Sequence, residues 1–565
     1  MKITSRVRAL LALVVAFSMA FAFAAAPVAN AQGKTLTVAF AQEPDNMNGM
    51  YSSMAFAQWA IDLVQASLWH YTDTLEAVPV LAAEIPTVEN GGISADYTQY
   101  TIKLKPGLKW SDGAPLTADD LVFSYEMIME GKKNNYLQGG TITEVLESVA
   151  KVDETTFTLK FKSPQPFPED IAGSPGISQI LPAHIFKPVW EANQSLEQAP
   201  ENQNPTVFSG PYVLKNWTRG ESMTFEANPN YVLGAPKISN IVIRFFPNPE
   251  ASYAALGAGQ VDFVPNLGQG DTVKVKALSP DINVVSVFGG YIESLWLNVR
   301  GEEHPRAGHP ALKDRKVREA IRLALDRRAI VRDLLADSVV VSDSIYALSP
   351  FEDKELGFVE HDPAKAAALL DEAGWKLGAD GVREKDGVKL ELRYSSTTAG
   401  WRKEIQAVVQ QQLAAVGVKT VLENYPASEY FGAFNAGGIN AIGEYDIAEY
   451  ANNTALTNIA NVTVNEAFAC NQIPSDANQG GQNFTGFCSE ELDKAAEITR
   501  KSLNAEERAA AAKKIQQIVK DEMPVIILFP RGDIYAYNNA KFAASPKIGS
   551  GVGNLWFDIL NWELK

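Results

Sequence analysis

The chain has 565 residues, 46% of them hydrophobic and 10% aromatic, and carries a formal net charge of −17. That composition fits a well-packed globular protein and argues against disorder, and the length predicts two or three domains rather than one core. The acidity, with no run of Lys or Arg, excludes the counterion-displacing surfaces that nucleic acids and anionic membranes require.

The first predicted element is a targeting segment. Lys2, Arg6 and Arg8 precede an uncharged apolar stretch that reaches Ala29-Asn30-Ala31. This is the pattern of a secretory signal peptide over residues 1–31, cleaved before Gln32. About 18 apolar residues could nearly span a bilayer as an uncleaved anchor, but the A-x-A site and the helix-breaking Pro27 favour cleavage. No Cys stands near the junction, so a lipoprotein-type anchor is not expected, and no later apolar run is long enough to span. The expected protein is exported, periplasmic or extracellular, and soluble.

From Lys34, "KTLTVAF" alternates as a strand, a turn follows in "AQEPDNMNG", and "WAIDLVQASLWHYT" reads as a helix. "QYTIKLKPGLKW" and "TTFTLKFKSP" are strand-like, with period-2 alternation and Gly or Pro turns. Between them "LTADDLVFSYEMIME" opens on a capping pattern, Thr117 with Asp120 three residues on. Residues 72–205 are therefore expected to form a mixed α+β insertion. "GPYVLKNW", "MTFEANP" and "ISNIVIRFF" are strands, and "NPEASYAALGAGQVDFV" is a helix followed by a strand. "VVSVFGGYIESLWLNV" is a β run long enough to pass between two lobes. Beyond it the pattern is α/β. "RKVREAIRLALDRRAIVRDLL" reads as one amphipathic helix with Val317, Ile321, Leu325 and Ile330 near one stripe. "DPAKAAALLDEAGW" begins with Pro near its first turn and stops at Gly374. Strand, helix, strand and strand follow in "LELRYSS", "WRKEIQAVVQQQLAAVG", "KTVLENY" and "YDIAEYA". Two helices, "SEELDKAAEITRKSL" and "AEERAAAAKKIQQIVKDEMP", precede a second long strand, "VIILFPRGDIYAYN". Two long β runs bracketing an α/β block predict two lobes joined by two crossing strands, with a ligand cleft between them. Lobe I is assigned residues 32–71, 206–287 and 532–565, and lobe II residues 288–531.

The only cysteines, Cys470 and Cys488, are closely spaced, which in an exported protein suggests a disulfide worth roughly 3 kcal/mol on the chain-entropy model. Two buried thiols are the alternative, and the spacing excludes a C-x-x-C site.

The segments "TIKLKPGLKWSDGAPLTADDLVFSYE", "FSGPYVL", "NPNYVLGAPKISNIVIRF", "HPALKDRKVREAIRLALDR" and "AAALLDEAGW" resemble, in order, the family 5 extracellular solute-binding proteins of bacterial ABC importers. The resemblance spans nearly the whole mature chain. It implies a type II periplasmic-binding-protein fold of α/β class, with an extra α+β domain inserted in the first lobe. It also implies a monomer without enzymatic activity or cofactor that closes on a ligand and presents it to membrane permease subunits. A ligand must touch both lobes, since only differential binding shifts an open–closed equilibrium.

In peptide-binding relatives, the strand equivalent to Tyr445–Tyr450 leads to a Trp and then an Asp that pairs with the ligand's α-amino group. By ungapped correspondence these positions are Asn452 and Ala455, and no Asp or Glu occurs between Glu449 and Glu466. Asn452, Asn453 and Thr454 are the substrate-binding candidates there, neutral hydrogen-bonding groups rather than a counter-charge. Leaving an ammonium group buried without one costs several kcal/mol. The same correspondence proposes Ser53 and Met54 after the first strand, Tyr430 as a groove-capping aromatic, and Trp401 as a stacking surface.

Peptide is the expected ligand, with an oligosaccharide as the alternative, because sugar-binding members use aromatic stacking and neutral amides. Catalytic patterns are thin. G-x-S-x-G, H-E-x-x-H and the Walker motif are missing, and "GKT" at Gly33–Thr35 lacks the Gly five residues upstream. His304 and His309 could meet a metal on a loop, and some family members carry nickel complexes, but two His without further ligands make a weak metal site. An exported hydrolase is the remaining alternative.

Overall fold

The computed structural model describes residues 34–52, 54–74, 76–130, 145–165, 180–301, 306–432, 434–453, 467–549 and 554–565. The signal segment, Ser53, His304 and Thr454 lie outside them. Thirteen strands position the site: β1 Thr35–Phe40, β2 Gln99–Lys103, β3 Leu146–Lys151, β4 Thr156–Phe161, β5 Tyr212–Thr218, β6 Ser222–Ala227, β7 Asn240–Phe245, β8 Phe263–Leu267, β9 Ile282–Leu297, β10 Glu391–Thr397, β11 Lys419–Tyr425, β12 Ile447–Asn453 and β13 Val525–Asn538. Ten of them make one sheet in the order β11-β10-β12-β9-β13-β8-β1-β7-β6-β5, and β2-β4-β3 make a separate sheet.

The long strands β9 and β13 hold the molecule together. They pair antiparallel from Ile282↔Asn538 to Trp296↔Val525, so each belongs to both halves of the sheet. Their register shifts between Phe288 and Tyr291 and again between Glu293 and Ser294, bends of the kind an inserted residue imposes on a ladder. Gly290 sits in the first shift at φ +80°, a conformation that non-glycine residues avoid.

The two halves have separate cores. One packs Leu36, Phe225, Ile243, Trp556 and Trp562 around the β1 half, and the other packs Leu295, Ile321, Leu392, Ile405 and Ile447 around the β10 half. A further core gathers Tyr100, Trp110, Leu121 and Phe157 on the small sheet and its helix α2, Ala118–Met129. The capping box expected there is present: Thr117 accepts from the Asp119 amide at 3.3 Å, and the Asp120 carboxylate accepts from the Thr117 amide at 2.9 Å. The helix ahead of it, α1 (Ala55–Val64), starts earlier than its pattern predicts and stops at Val64, where Gly210 meets its last turn too closely for any Cβ.

The predicted long amphipathic helix is two, α3 (Arg315–Ala324) and α4 (Arg327–Leu335). Asp326 breaks it by accepting from the Ala329 amide at 2.9 Å, starting a new helix where hydrophobic periodicity alone runs on. α5 (Pro363–Glu372) follows, with Gly374 at φ +88° just beyond it, and α6 (Gly400–Ala415) packs on the β10 half.

Candidate functional site

Strand directions place the site. β1 is parallel to β7 and β8, and β8 is antiparallel to β13, which is antiparallel to β9. These three strands therefore run with β9, towards the second half of the molecule. β12 is antiparallel to β9, and β10 is parallel to both β11 and β12. Those three run the opposite way. The carboxyl ends of the parallel strands in the two halves thus face each other, and such ends are where α/β sheets bind ligands.

At the lobe II edge, Asn453, Tyr291 and Arg531 stand opposite one another on β12, β9 and β13. The Arg531 guanidinium lies 5.9 Å from the Tyr291 ring centre and 5.6 Å from that of Trp401, within cation–π range. Trp401 is the second residue of α6, and its backbone is met by the turn at Gly270 on the lobe I side. A Cβ on Gly270 would come within 2.9 Å of the Trp401 Cβ, so only glycine permits the approach. The neighbouring Gln269 donates to the Gly532 carbonyl at 2.7 Å, tying the same turn to the crossing strand. Asn452 sits beside Ile292, on the opposite face of the strand from Asn453, and accepts from the Asn453 amide at 3.0 Å through its side-chain oxygen.

Below this row lies a buried charge cluster. Arg402 holds Glu293 by two bonds of 2.7 and 3.0 Å and donates to the Thr397 hydroxyl at 3.1 Å. Glu449, fully buried, accepts from the Tyr394 hydroxyl at 2.5 Å. Burial pushes the Glu449 carboxyl well above its ordinary range, and the charge of Glu293 adds to that.

The structure therefore places Asn453 in one row with Tyr291 and Arg531, whose guanidinium reaches Trp401, while Asn452 faces the other side of β12. Met54 is half-buried at the start of α1 on the lobe I side, packed against the β1 core. Tyr430 differs from its expected place. It is 0% exposed, and its hydroxyl donates to the Ser395 and Glu449 carbonyls at 3.2 and 3.3 Å. Its ring stacks under Tyr425 and meets the Tyr450 ring edge-on, so it supports the floor instead of lining the groove. Cys470 and Cys488 are joined in a disulfide. His309 commits both ring nitrogens to the backbone, accepting from Ala311 at 3.2 Å and donating to the Lys389 carbonyl at 2.9 Å. Among the described residues no group of three His, Cys, Asp or Glu is placed to hold a metal.

Tyr291 and Arg531 escape a reading by composition because they sit inside long apolar strands. A signal was available: Pro530-Arg531-Gly532-Asp533 interrupts an otherwise apolar run at mid-strand, where a crossing strand passes between the lobes.

The family model for bacterial extracellular solute-binding proteins, family 5 (middle), matches residues 76–464. The chain is 30% identical over 395 residues to the oligopeptide-binding protein AppA of Bacillus subtilis, covering 69% of this chain and 68% of that protein. The solved structure of that AppA in complex with a nonapeptide superposes with a TM-score of 0.62 at 24% identity, over 94% of this chain and 99% of the other. NikZ of Campylobacter jejuni in complex with Ni(L-His) superposes with a TM-score of 0.65, also at 24% identity and over the same shares.

Proposed function

This chain belongs to the bacterial extracellular solute-binding proteins of family 5, and from that premise we propose that it captures a peptide between its lobes and hands it to the permease of an ABC importer. The observation that carries the peptide reading is the 30% identity to an oligopeptide-binding protein over two thirds of both chains. The geometry is compatible with it: neutral amides at Asn452 and Asn453, a cation at Arg531 and a ring at Trp401 suit an extended ligand rich in backbone groups. Residues 1–31 act as a cleaved signal peptide, and the protein works outside the cytoplasm as a monomer that changes no bond in its ligand. Lobe I comprises residues 32–71, 206–287 and 532–565, with 72–205 inserted in it, and lobe II residues 288–531. Met54, and Ser53 and Thr454 outside the described residues, are further proposed ligand contacts beside Asn452, Asn453 and Trp401.

The test is a thermal shift against di- to pentapeptides and against β-linked oligosaccharides. A ligand at 100 times its Kd should add about 2.7 kcal/mol of stability. Peptides are expected to raise the transition and to be recovered intact by mass spectrometry. A shift with oligosaccharides alone would replace the ligand class, and cleavage of the bound peptide would make the protein an enzyme.

A further inference from the structure

We infer that a slot beneath Asn452 and Asn453 receives one aliphatic side chain of the ligand, and that the Ser294 hydroxyl in its wall favours methionine. This rests on the peptide reading above and adds a selectivity to it.

The slot is a narrow recess: the ≈ 280 Å³ of empty space there takes in open solvent at its mouth, and the enclosed part is far smaller. Ile292, Ser294 and Trp296 form one wall, successive outward positions on the same face of β9. Ile527 of β13 continues that wall, and Phe468 lies across it. Those five residues are all at most 4% exposed, whereas Asn452 and Asn453 are half-buried, so the asparagines mark the mouth. From Ile292 to Trp296 the wall runs about 13 Å along the strand. The slot is thus continuous with the amide row at the strand ends and leads away from it into lobe II.

Its chemistry selects against most side chains. No charged group lines it, so a carboxylate or ammonium entering would lose water without gaining a partner. Trp296 offers only its apolar surface, because its ring N–H already donates to the Tyr450 carbonyl at 3.2 Å. The indole is fixed by stacking on Tyr450 at 4.9 Å and Phe468 at 5.8 Å between ring centres. Ser294 is the exception. It is 1% exposed, and its hydroxyl has no hydrogen-bond partner among the described residues. Buried hydroxyls are normally paired. A ligand group that is slender, apolar and carries a weak acceptor along its length meets both demands, and a thioether does so.

The experiment is isothermal titration of the full-length exported protein with trialanine and with trialanine carrying methionine, norleucine, leucine, aspartate or glycine at each position in turn. At one position the three aliphatic residues should bind about 10-fold or more tightly than glycine or aspartate. Methionine should exceed its isostere norleucine, and Ser294→Ala should remove that difference while leaving the aliphatic preference. Ser294→Leu, which fills the slot, should flatten the series while trialanine still binds. Peptides that bind with no side-chain preference at any position would overturn the slot and leave the peptide reading standing. A methionine preference that survives Ser294→Ala would overturn the role of the hydroxyl. If no peptide binds at all, the peptide reading falls and the slot's assignment with it.

Discussion

Glu293 and Glu449 share the neighbourhood of one guanidinium, and that arithmetic has measurable consequences. Arg402 is 7% exposed and Glu293 0%. Removing the arginine leaves a buried carboxylate alone, so Arg402→Ala should destabilise by about 3–5 kcal/mol in denaturant unfolding. The paired replacement Glu293→Gln with Arg402→Met should cost much less, and equal losses would show that packing rather than charge matters here. Glu449 acts in the other direction. Its carboxyl is held above its unfolded value by burial. As pH rises past the ordinary carboxyl range the unfolded chain ionises while the folded one stays protonated, and stability falls with rising pH. Glu449→Gln should therefore gain on the wild type in melting temperature as pH rises above the ordinary carboxyl range, since its amide does not ionise. The half-buried Asp62, raised by burial from 3.8 to about 7, obeys the same sign, so Asp62→Asn should gain between about pH 4 and pH 7. Parallel melting curves for either variant and the wild type would sink the corresponding assignment. Neither position is legible in sequence: Glu449 in "YDIAEYA" looks like the outward half of an alternating strand. Tertiary packing makes it internal, because α6 covers the face that alternation would leave to water.

At the scale of elements, the crossing strands carry the tightest constraint. A Cβ on Gly532 would lie 1.6 Å from the Ser286 hydroxyl oxygen, on the partner strand. Gly532→Ala should therefore lower the melting temperature, with a cost of about 1–3 kcal/mol. The double variant with Ser286→Gly should recover most of it, and a failure to recover would move the strain elsewhere on the strand. The long strands themselves were predictable, residues 284–299 and 525–538 against the observed 282–297 and 525–538, because β-branched and aromatic residues dominate on both sides of their short Gly and Pro-Arg-Gly-Asp breaks. The division of α3 from α4 was not, since Asp326 within an amphipathic stripe is equally at home as a solvated helix residue or as a new cap. β12 also runs further than its composition suggests. Asn452 and Asn453 are poor strand formers, yet they pair with Ile292 and Tyr291 because β9 continues beside them.

For the whole molecule, two half-sheets sharing only β9 and β13 have one set of bonds about which to bend. Saturating peptide should reduce the radius of gyration in small-angle scattering, as the facing strand ends close on it. A peptide that binds with no change in scattering would mean that closure is not how it is held. The turn at Gln269–Asp271 already rests on α6 near Trp401, so the motion should pivot there and open the side away from it.

The sequence by itself determined the two-lobed α/β plan, the α+β insertion and the family, because hydrophobic periodicity, turn residues and ordered motifs are properties of local stretches. It also pointed to Asn452, Asn453 and Trp401 through correspondence with relatives. Tertiary structure alone decided that Tyr430 supports the floor, that Tyr291 and Arg531 share the edge with Asn453, and that Ser294 opens on an apolar slot. The last two depend on which residues stand opposite across strands far apart in the chain, and the first on how a short helix at Ala427–Tyr430 packs onto them. Register is set by the packing of whole lobes, which no local stretch encodes.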